Sequence, residues 1–278
     1  MKKTRLSFIG GGNMARSLIG GLLQNDWPAN QICVADPNPE QGTRLHQINP
    51  AIILSSDNIA AAKFADVLVF ATKPQVLQSI AREVADSVQK QRPLIVSIAA
   101  GIHSADIDRW LGKNLPIVRC MPNTPALVQS GATGLFANKH VSEPQKELAE
   151  QLLRSVGITV WLDEEKQLDI VTALSGSGPA YIFLVIEAMQ AAAEQMGLTS
   201  ETARMLSIET AFGSAKLALE SEDEVATLRE RVTSIGGTTE KALQVLENGG
   251  LRNLFYNAMK GAEERAEKLA EQLGKDSL

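Results

Sequence analysis

Cysteine is nearly absent from this sequence. Cys33 and Cys120 are the only two in 278 residues, and they lie far apart, outside any Cys-x-x-Cys spacing. That excludes a disulfide-stapled scaffold and a thiolate zinc site, and leaves two buried free thiols in a reducing compartment as the expectation. Histidine is almost as scarce. His46, His103 and His140 are scattered, none with a Cys, a His or a carboxylate at ligand spacing, so no metal is expected. Aromatic residues make up 4% and the net charge is −5. Without a basic stripe interleaved with aromatics, no nucleic-acid partner is expected. The charged N-terminus lacks the apolar core of a signal peptide, and no apolar run approaches membrane-spanning length. The expectation is a cytoplasmic protein with no membrane partner. What remains, 44% hydrophobic and 21% charged residues, is the composition of a globular enzyme of one large or two modest domains.

The most informative run comes first: Leu6-Ser7-Phe8-Ile9-Gly10-Gly11-Gly12-Asn13-Met14-Ala15. An apolar strand pattern runs into Gly-x-Gly-x-x-Ala, and a helical pattern follows (Leu18, Ile19, Leu22, Leu23). This is the dinucleotide-binding fingerprint in its required context. Gly10 permits the tight turn, Gly12 lets backbone approach a pyrophosphate, and Ala15 lets helix pack on strand. The phosphates then meet free N–H groups and the positive end of the helix dipole beside Asn13 and Met14.

Strand patterns recur at 5–10, 31–35, 51–54, 66–71, 93–98, 115–120, 132–137 and 157–162, with helices between them, for example at 13–25, 75–88, 104–111 and 143–155. Such alternation implies βαβ units and a mainly parallel sheet with helices on both faces. After about residue 164 strand signals vanish and helical patterns take over: 165–174, 179–196, 200–220, 222–232, 238–248 and 250–273. The reading is α/β, a Rossmann-like doubly wound sheet over 1–164 followed by an all-helical dimerisation domain over 165–278. The 179–196 helix is apolar around most of its circumference, which places it in a core or a subunit interface; a homodimer joined through this region follows.

Strand ends carry the candidate cofactor contacts. Asp36 stands 24 residues beyond Gly12, where an acid binds ribose hydroxyls and favours NAD(H); opening a turn before Pro37 is the other reading. Lys73 can reach a phosphate or ribose, and Pro74 suits the first position of a helix. Ser97-Ile98-Ala99-Ala100-Gly101 is small enough to admit a flat ring. Asn123, in Met121-Pro122-Asn123-Thr124-Pro125-Ala126, offers the donor and acceptor that suit a nicotinamide carboxamide.

Two Gly-rich polar runs interrupt the helical half: Ser175-Gly176-Ser177-Gly178-Pro179-Ala180-Tyr181 and Val232-Thr233-Ser234-Ile235-Gly236-Gly237-Thr238-Thr239. Each reads as a helix start with free N–H groups and hydroxyls, either an anion nest or plain Ser/Thr capping. Three hydroxyls around a glycine pair favour an anion site in the second, for a small carboxylate.

Together these motifs resemble the pyrroline-5-carboxylate reductase family almost end to end. The family usually reads Ser-Pro-Gly-Gly-Thr-Thr; here Ile235 replaces the proline, which removes a φ restraint and adds a backbone N–H. The resemblance implies reduction of a cyclic imine carboxylate to L-proline with NADP(H) or NAD(H), and a homodimer that often assembles into a decamer. It implies Asn58, Ala71 and Lys73 at the adenosine-ribose and phosphate region, and Ala99 and Asn123 at the nicotinamide. It implies Ser234, Gly237, Thr238 and Thr239 at the substrate carboxylate, with the Thr239 hydroxyl near the ring nitrogen. A β-hydroxyacid dehydrogenase with Lys216 as its lysine, a generic imine reductase and a dinucleotide-sensing regulator are the competing readings.

Overall fold

The computed structural model describes residues 4–275, and all eight expected strands are present. They are β1 (Leu6–Ile9), β2 (Ile32–Ala35), β3 (Ile53–Ser55), β4 (Val67–Phe70), β5 (Leu94–Ser97), β6 (Ile117–Met121), β7 (Gly131–Ala137) and β8 (Gly157–Trp161). They form one sheet in the order β3-β2-β1-β4-β5-β6-β7-β8. Every neighbouring pair is parallel except β6–β7. A parallel return needs a crossover of about a dozen residues or more, and residues 122–130 are too few, so β7 folds back as a hairpin.

The connecting helices are α1 (Asn13–Gln24), α2 (Pro39–Ile48), α3 (Asn58–Phe64), α4 (Pro74–Gln91), α5 (Ser104–Trp110) and α6 (Glu143–Arg154). Side chains of successive strand residues feed two separate cores. Leu6, Phe8, Val67, Val69, Leu94 and Val96 join α1 and α6 in one. Ile9, Leu68, Phe70, Ile95 and Ile117 join α4 and α5 in the other. The period of two along a strand thus leaves no face of the central strands in water.

The helical half comprises α7 (Gln167–Val171), α8 (Gly178–Gln195), α9 (Ser200–Glu220), α10 (Val225–Arg231), α11 (Thr238–Asn248) and α12 (Leu251–Leu273), with a π turn at Thr172–Gly176. The chain divides into two compact units. One runs through Ser177 and takes back the residues from Ala262 onward; the other is Gly178–Gly261. The packing division therefore lies beyond residue 164, where the strand pattern ends. The reason is that α7 packs on β6 and β7, and Ala266, Ala270 and Leu273 of α12 pack with the sheet unit. Arg109 Nη2 fixes this end by donating to Gly274 O at 2.7 Å.

Two expectations need correction. The stretch Gln167–Gln195 passes the length and composition test for a membrane-crossing helix. The sequence hid this because Ser, Gly and Glu break the apolar runs, whereas the helical path continues through them. For the same reason Ser175–Gly178 is not a fresh helix start: Ser177 N donates to Thr172 O at 2.8 Å, closing a π turn, and the Ser175 hydroxyl donates to Val171 O.

Candidate active site

β1 and β4 lie side by side although β2 and β3 intervene in sequence, so the sheet reverses direction of winding between them. Open α/β sheets bind ligands at this switch point, beyond the carboxyl ends of the strands. Gly10 sits there at φ +100°, and a Cβ on it would lie 2.6 Å from Ala71 O. Gly12 is the N-cap of α1, with open space where its Cβ would project. Asn13 and Met14 begin the helix; Met14 packs on the core, while Asn13 Oδ1 accepts from Arg16. Ala71 closes β4 by donating its N–H to Ile9 O. Lys73 is exposed at the N-cap of α4, and Pro74 is its first residue. Beside them the Thr72 hydroxyl is buried without a hydrogen-bond partner among the described residues. Sequence reasoning passed over Thr72, although it adjoins Lys73 at a strand end.

At the end of β2, Asp36 does two jobs at once. Oδ2 accepts from Gly11 N at 2.7 Å and Oδ1 from Asn38 N at 2.8 Å. It thus both pins the fingerprint loop and opens the turn. A cleft of about 420 Å³ adjoins it, lined by Asp36, Asn38, Thr43, His46 and Ser55 among others, with no Lys or Arg in the lining. The cation that sequence spacing missed is Arg16: one turn into α1, its guanidinium donates to Gly11 O, Gln41 and Asn13. Asn58 begins α3 and donates to Glu83 Oε2 on α4 at 3.0 Å.

Ala99 follows β5 and is buried. Asn123 is buried too, but its amide is engaged with backbone: Nδ2 donates to Ser175 O at 3.0 Å and Oδ1 accepts from Ala132 N at 2.9 Å. One further N–H and one further lone pair remain for a ligand.

His103 stands in a charged cluster that its spacing in the sequence does not show. His103 meets Arg119 of β6, Glu165 of the β8–α7 connection, and Asp169 of α7. Glu165 accepts from Ser104 N at 2.6 Å, from the Ser104 hydroxyl at 2.7 Å and from Arg119 Nη1 at 2.7 Å. His103 Nδ1 lies 3.3 Å from Arg119 Nη1 and 3.7 Å from Glu165 Oε1. When neutral it can accept from the guanidinium, and when protonated it can donate to the carboxylate. Burial on its own raises the Glu165 carboxyl, but His103, Arg119 and the Ser104 amide outweigh it and hold it down at about 2. The Glu165 hydrogen bond holds His103 above its ordinary value. Burial raises Asp169 against the opposing pull of Arg119 and His103, and Glu267 of α12 adds to the rise.

In the helical unit, Gly236 adopts φ +72° and Gly237 is the N-cap of α11. Gly236 N already donates to Glu240 Oε2 at 2.7 Å, and Gly237 N to Ser234 O at 3.0 Å. The hydroxyls of Ser234, Thr238 and Thr239 have no partner among the described residues. They and the first N–H groups of α11 are the donors left for an anion. Ile235 is 98% exposed. Lys216 is also exposed and faces Glu220 at 3.8 Å, with no Asn one turn on.

Relatives match over this whole arrangement. A pyrroline-5-carboxylate reductase of Pseudomonas aeruginosa is 50% identical over 274 residues, covering 99% of this chain and 100% of that protein. The chain belongs to the pyrroline-5-carboxylate reductase family. Residues 165–269 match the family described as pyrroline-5-carboxylate reductase dimerisation, and residues 5–101 match NADP oxidoreductase coenzyme F420-dependent. The solved reductase of Coxiella burnetii superposes with a TM-score of 0.93 at 46% identity, over 97% of this chain and 99% of that one. A Plasmodium falciparum pyrroline carboxylate reductase with NADP bound gives 0.84 at 29% identity, over 97% and 99%.

Membership in this reductase family gives the switch point its meaning. The enzyme uses a nicotinamide dinucleotide, and the residues present fit one: a cradle at Gly10 that a Cβ would fill, open space before Gly12, a helix N-terminus, and an unsatisfied hydroxyl at Thr72.

Proposed function

We propose that this protein reduces 1-pyrroline-5-carboxylate to L-proline with NADPH or NADH, the last step of proline biosynthesis, as a cytoplasmic homodimer able to assemble further into a decamer. The observation that carries the reading is the end-to-end relationship at 50% identity, which spans both the fingerprint and the Ser234–Thr239 loop. When bound, the reduced nicotinamide supplies the hydride. The chain's own residues bind and orient. The Gly10–Gly12 turn and the start of α1 hold the pyrophosphate, Lys73 and Asn58 serve the adenosine side, and Ala99 leaves room for the flat ring beside Asn123. Ser234, Gly237 and Thr238 take the substrate carboxylate, and Thr239 hydrogen-bonds the ring nitrogen. A cyclic imine arrives protonated in part, so no strong general acid is needed. Positioning then supplies the acceleration, for which orientation alone is worth about 7–11 kcal/mol.

The test is the initial rate of pyrroline-5-carboxylate reduction by the purified protein, with NADPH and NADH in parallel. Turnover with either supports the reading. Cofactor binding without turnover of this imine overturns it.

A further inference from the structure

Three separate stretches bear on the proposed nicotinamide end of the cofactor site: Ser97–Gly101 and Met121–Ala126, which carry Ala99 and Asn123, and Ser175–Ser177, which Asn123 reaches. Two side-chain clamps tie them together. Asn123 bridges the second and third, donating to Ser175 O and accepting from Ala132 N. The first and second are joined by Glu165, which belongs to none of them. Its carboxylate receives Ser104 N and the Ser104 hydroxyl from the segment just after Gly101, and Arg119 Nη1 from the strand that leads into Met121. Each of these bonds is 2.7 Å or shorter, as charge-assisted hydrogen bonds are.

The Arg119 side chain is 6% exposed and that of Glu165 is 21% exposed, so water competes weakly for the pair. Only Ala100, Gly101, Ile102 and His103 separate Ala99 from Ser104 of the clamp, and Ile102 is fully buried. Among the described residues His103, Glu165 and Asp169 do not form a group able to hold a metal; the positive charge at their centre is Arg119.

Resting on the proposed reductase activity, we infer that Glu165 is a positioning residue: its carboxylate fixes the Ala99–Gly101 turn against β6, and so sets where the nicotinamide ring rests. Glu165 touches neither substrate nor cofactor in this role. Removing its charge leaves the proposed adenosine and pyrophosphate contacts intact, because those lie at the Gly10–Gly12 turn, the start of α1, Asn58 and Lys73, none of which bonds to Glu165, Ser104 or Arg119. Cofactor affinity is therefore kept while ring placement is lost. A misplacement of about 1 Å costs about a hundredfold in rate.

The experiment compares wild type with Glu165→Gln, Glu165→Asp and Ser104→Ala. It measures NADPH dissociation constants by fluorescence, kcat for pyrroline-5-carboxylate, and the primary isotope effect with NADPH deuterated at the transferred position. Circular dichroism verifies folding. For Glu165→Gln the expected result is a cofactor Kd within about threefold of wild type, kcat lower by about tenfold or more, and a larger isotope effect as hydride transfer becomes limiting. Ser104→Ala moves the same quantities less, and Glu165→Asp recovers part of the loss. If Glu165→Gln fails to fold, Ser104→Ala carries the test. A folded variant with wild-type kcat and isotope effect overturns the inference, as does a loss that appears only in Kd. If wild type itself shows no turnover, the failure lies with the proposed reaction and not with Glu165.

Discussion

The carboxylate of Asp36 is held from two sides, by Gly11 N and by Asn38 N, so it cannot swing away from the cleft it lines. In the proposed cofactor site a carboxylate there disfavours the 2′-phosphate of NADPH, while Arg16, bound to Gln41 and Asn13 and with no carboxylate partner among the described residues, pulls the other way. Asp36→Ser is expected to shift the kcat/KM ratio toward NADPH by about tenfold, read by steady-state kinetics with both cofactors. A ratio unchanged by the substitution removes Asp36 from cofactor choice. On the substrate side, the role proposed for Thr239 means that Thr239→Val deletes one hydrogen bond to a charged ring nitrogen. That is expected to lower kcat/KM for the imine by about tenfold to a hundredfold while cofactor binding stays put; full activity in the variant sinks the role. Residues whose signal is local, such as Gly10 and Pro74, were legible in the sequence because their job is set by the backbone around them. The Glu165 cluster was not, since Ser104 and Arg119 lie 61 and 46 positions from it, and only the sheet topology brings them together.

At the scale of elements, the strands were legible because alternating side chains enter two cores and leave a run of buried residues. Helix boundaries that depend on caps were harder. Asp57 caps α3 by accepting from Ile59 N and Ala60 N, and nothing in the apolar pattern marks it. Asp57→Ala is expected to lower stability by about 1 kcal/mol, measured by urea denaturation with an unchanged slope. The π turn at Thr172–Gly176 was illegible for a different reason: Gly and Ser read as a break, yet an i→i+5 bond carries the helix through. The Glu165 clamp, which joins the β5–α5 turn, β6 and the β8–α7 connection, has a defined pH signature. Its carboxyl falls from 4.5 to about 2 on folding. A depressed carboxyl stabilises the fold fully above 4.5, and the contribution fades as pH drops toward about 2. His103 is raised, so its share has the opposite sign: present below its ordinary value and lost as pH rises through the folded one. The melting-temperature gap between wild type and Glu165→Gln is expected to close as pH falls below 4.5. A gap constant down to pH 2 contradicts the ion pair as its source.

For the molecule as a whole the decisive fact is apolar surface without cover. In α8 no residue is buried within the chain; Phe183 is 64% exposed and Leu184 65%. In α9, Met205, Leu206, Phe212 and Leu219 are exposed as well. The sequence showed that α8 must be buried, but a single chain's sequence does not say by what. Full burial of one such side chain is worth about 1.5–3 kcal/mol, and surfaces this large do not stay wet on a stable monomer. A bilayer could cover Gln167–Gln195 by its length and composition, but it would leave Glu187 and the exposed apolar residues of α9 unexplained. A second copy of the same helices satisfies both, since a two-fold interface pairs each patch with its own twin. The wild-type protein is therefore expected to sediment, without detergent, at twice the chain mass or an even multiple of it. Phe183→Glu places an unpaired charge in that interface and is expected to shift the population to monomer, with a lower melting temperature that no longer rises with protein concentration. A wild type that is monomeric at micromolar concentration, or that partitions into membranes, would rule out the dimer and leave the apolar helices needing another partner.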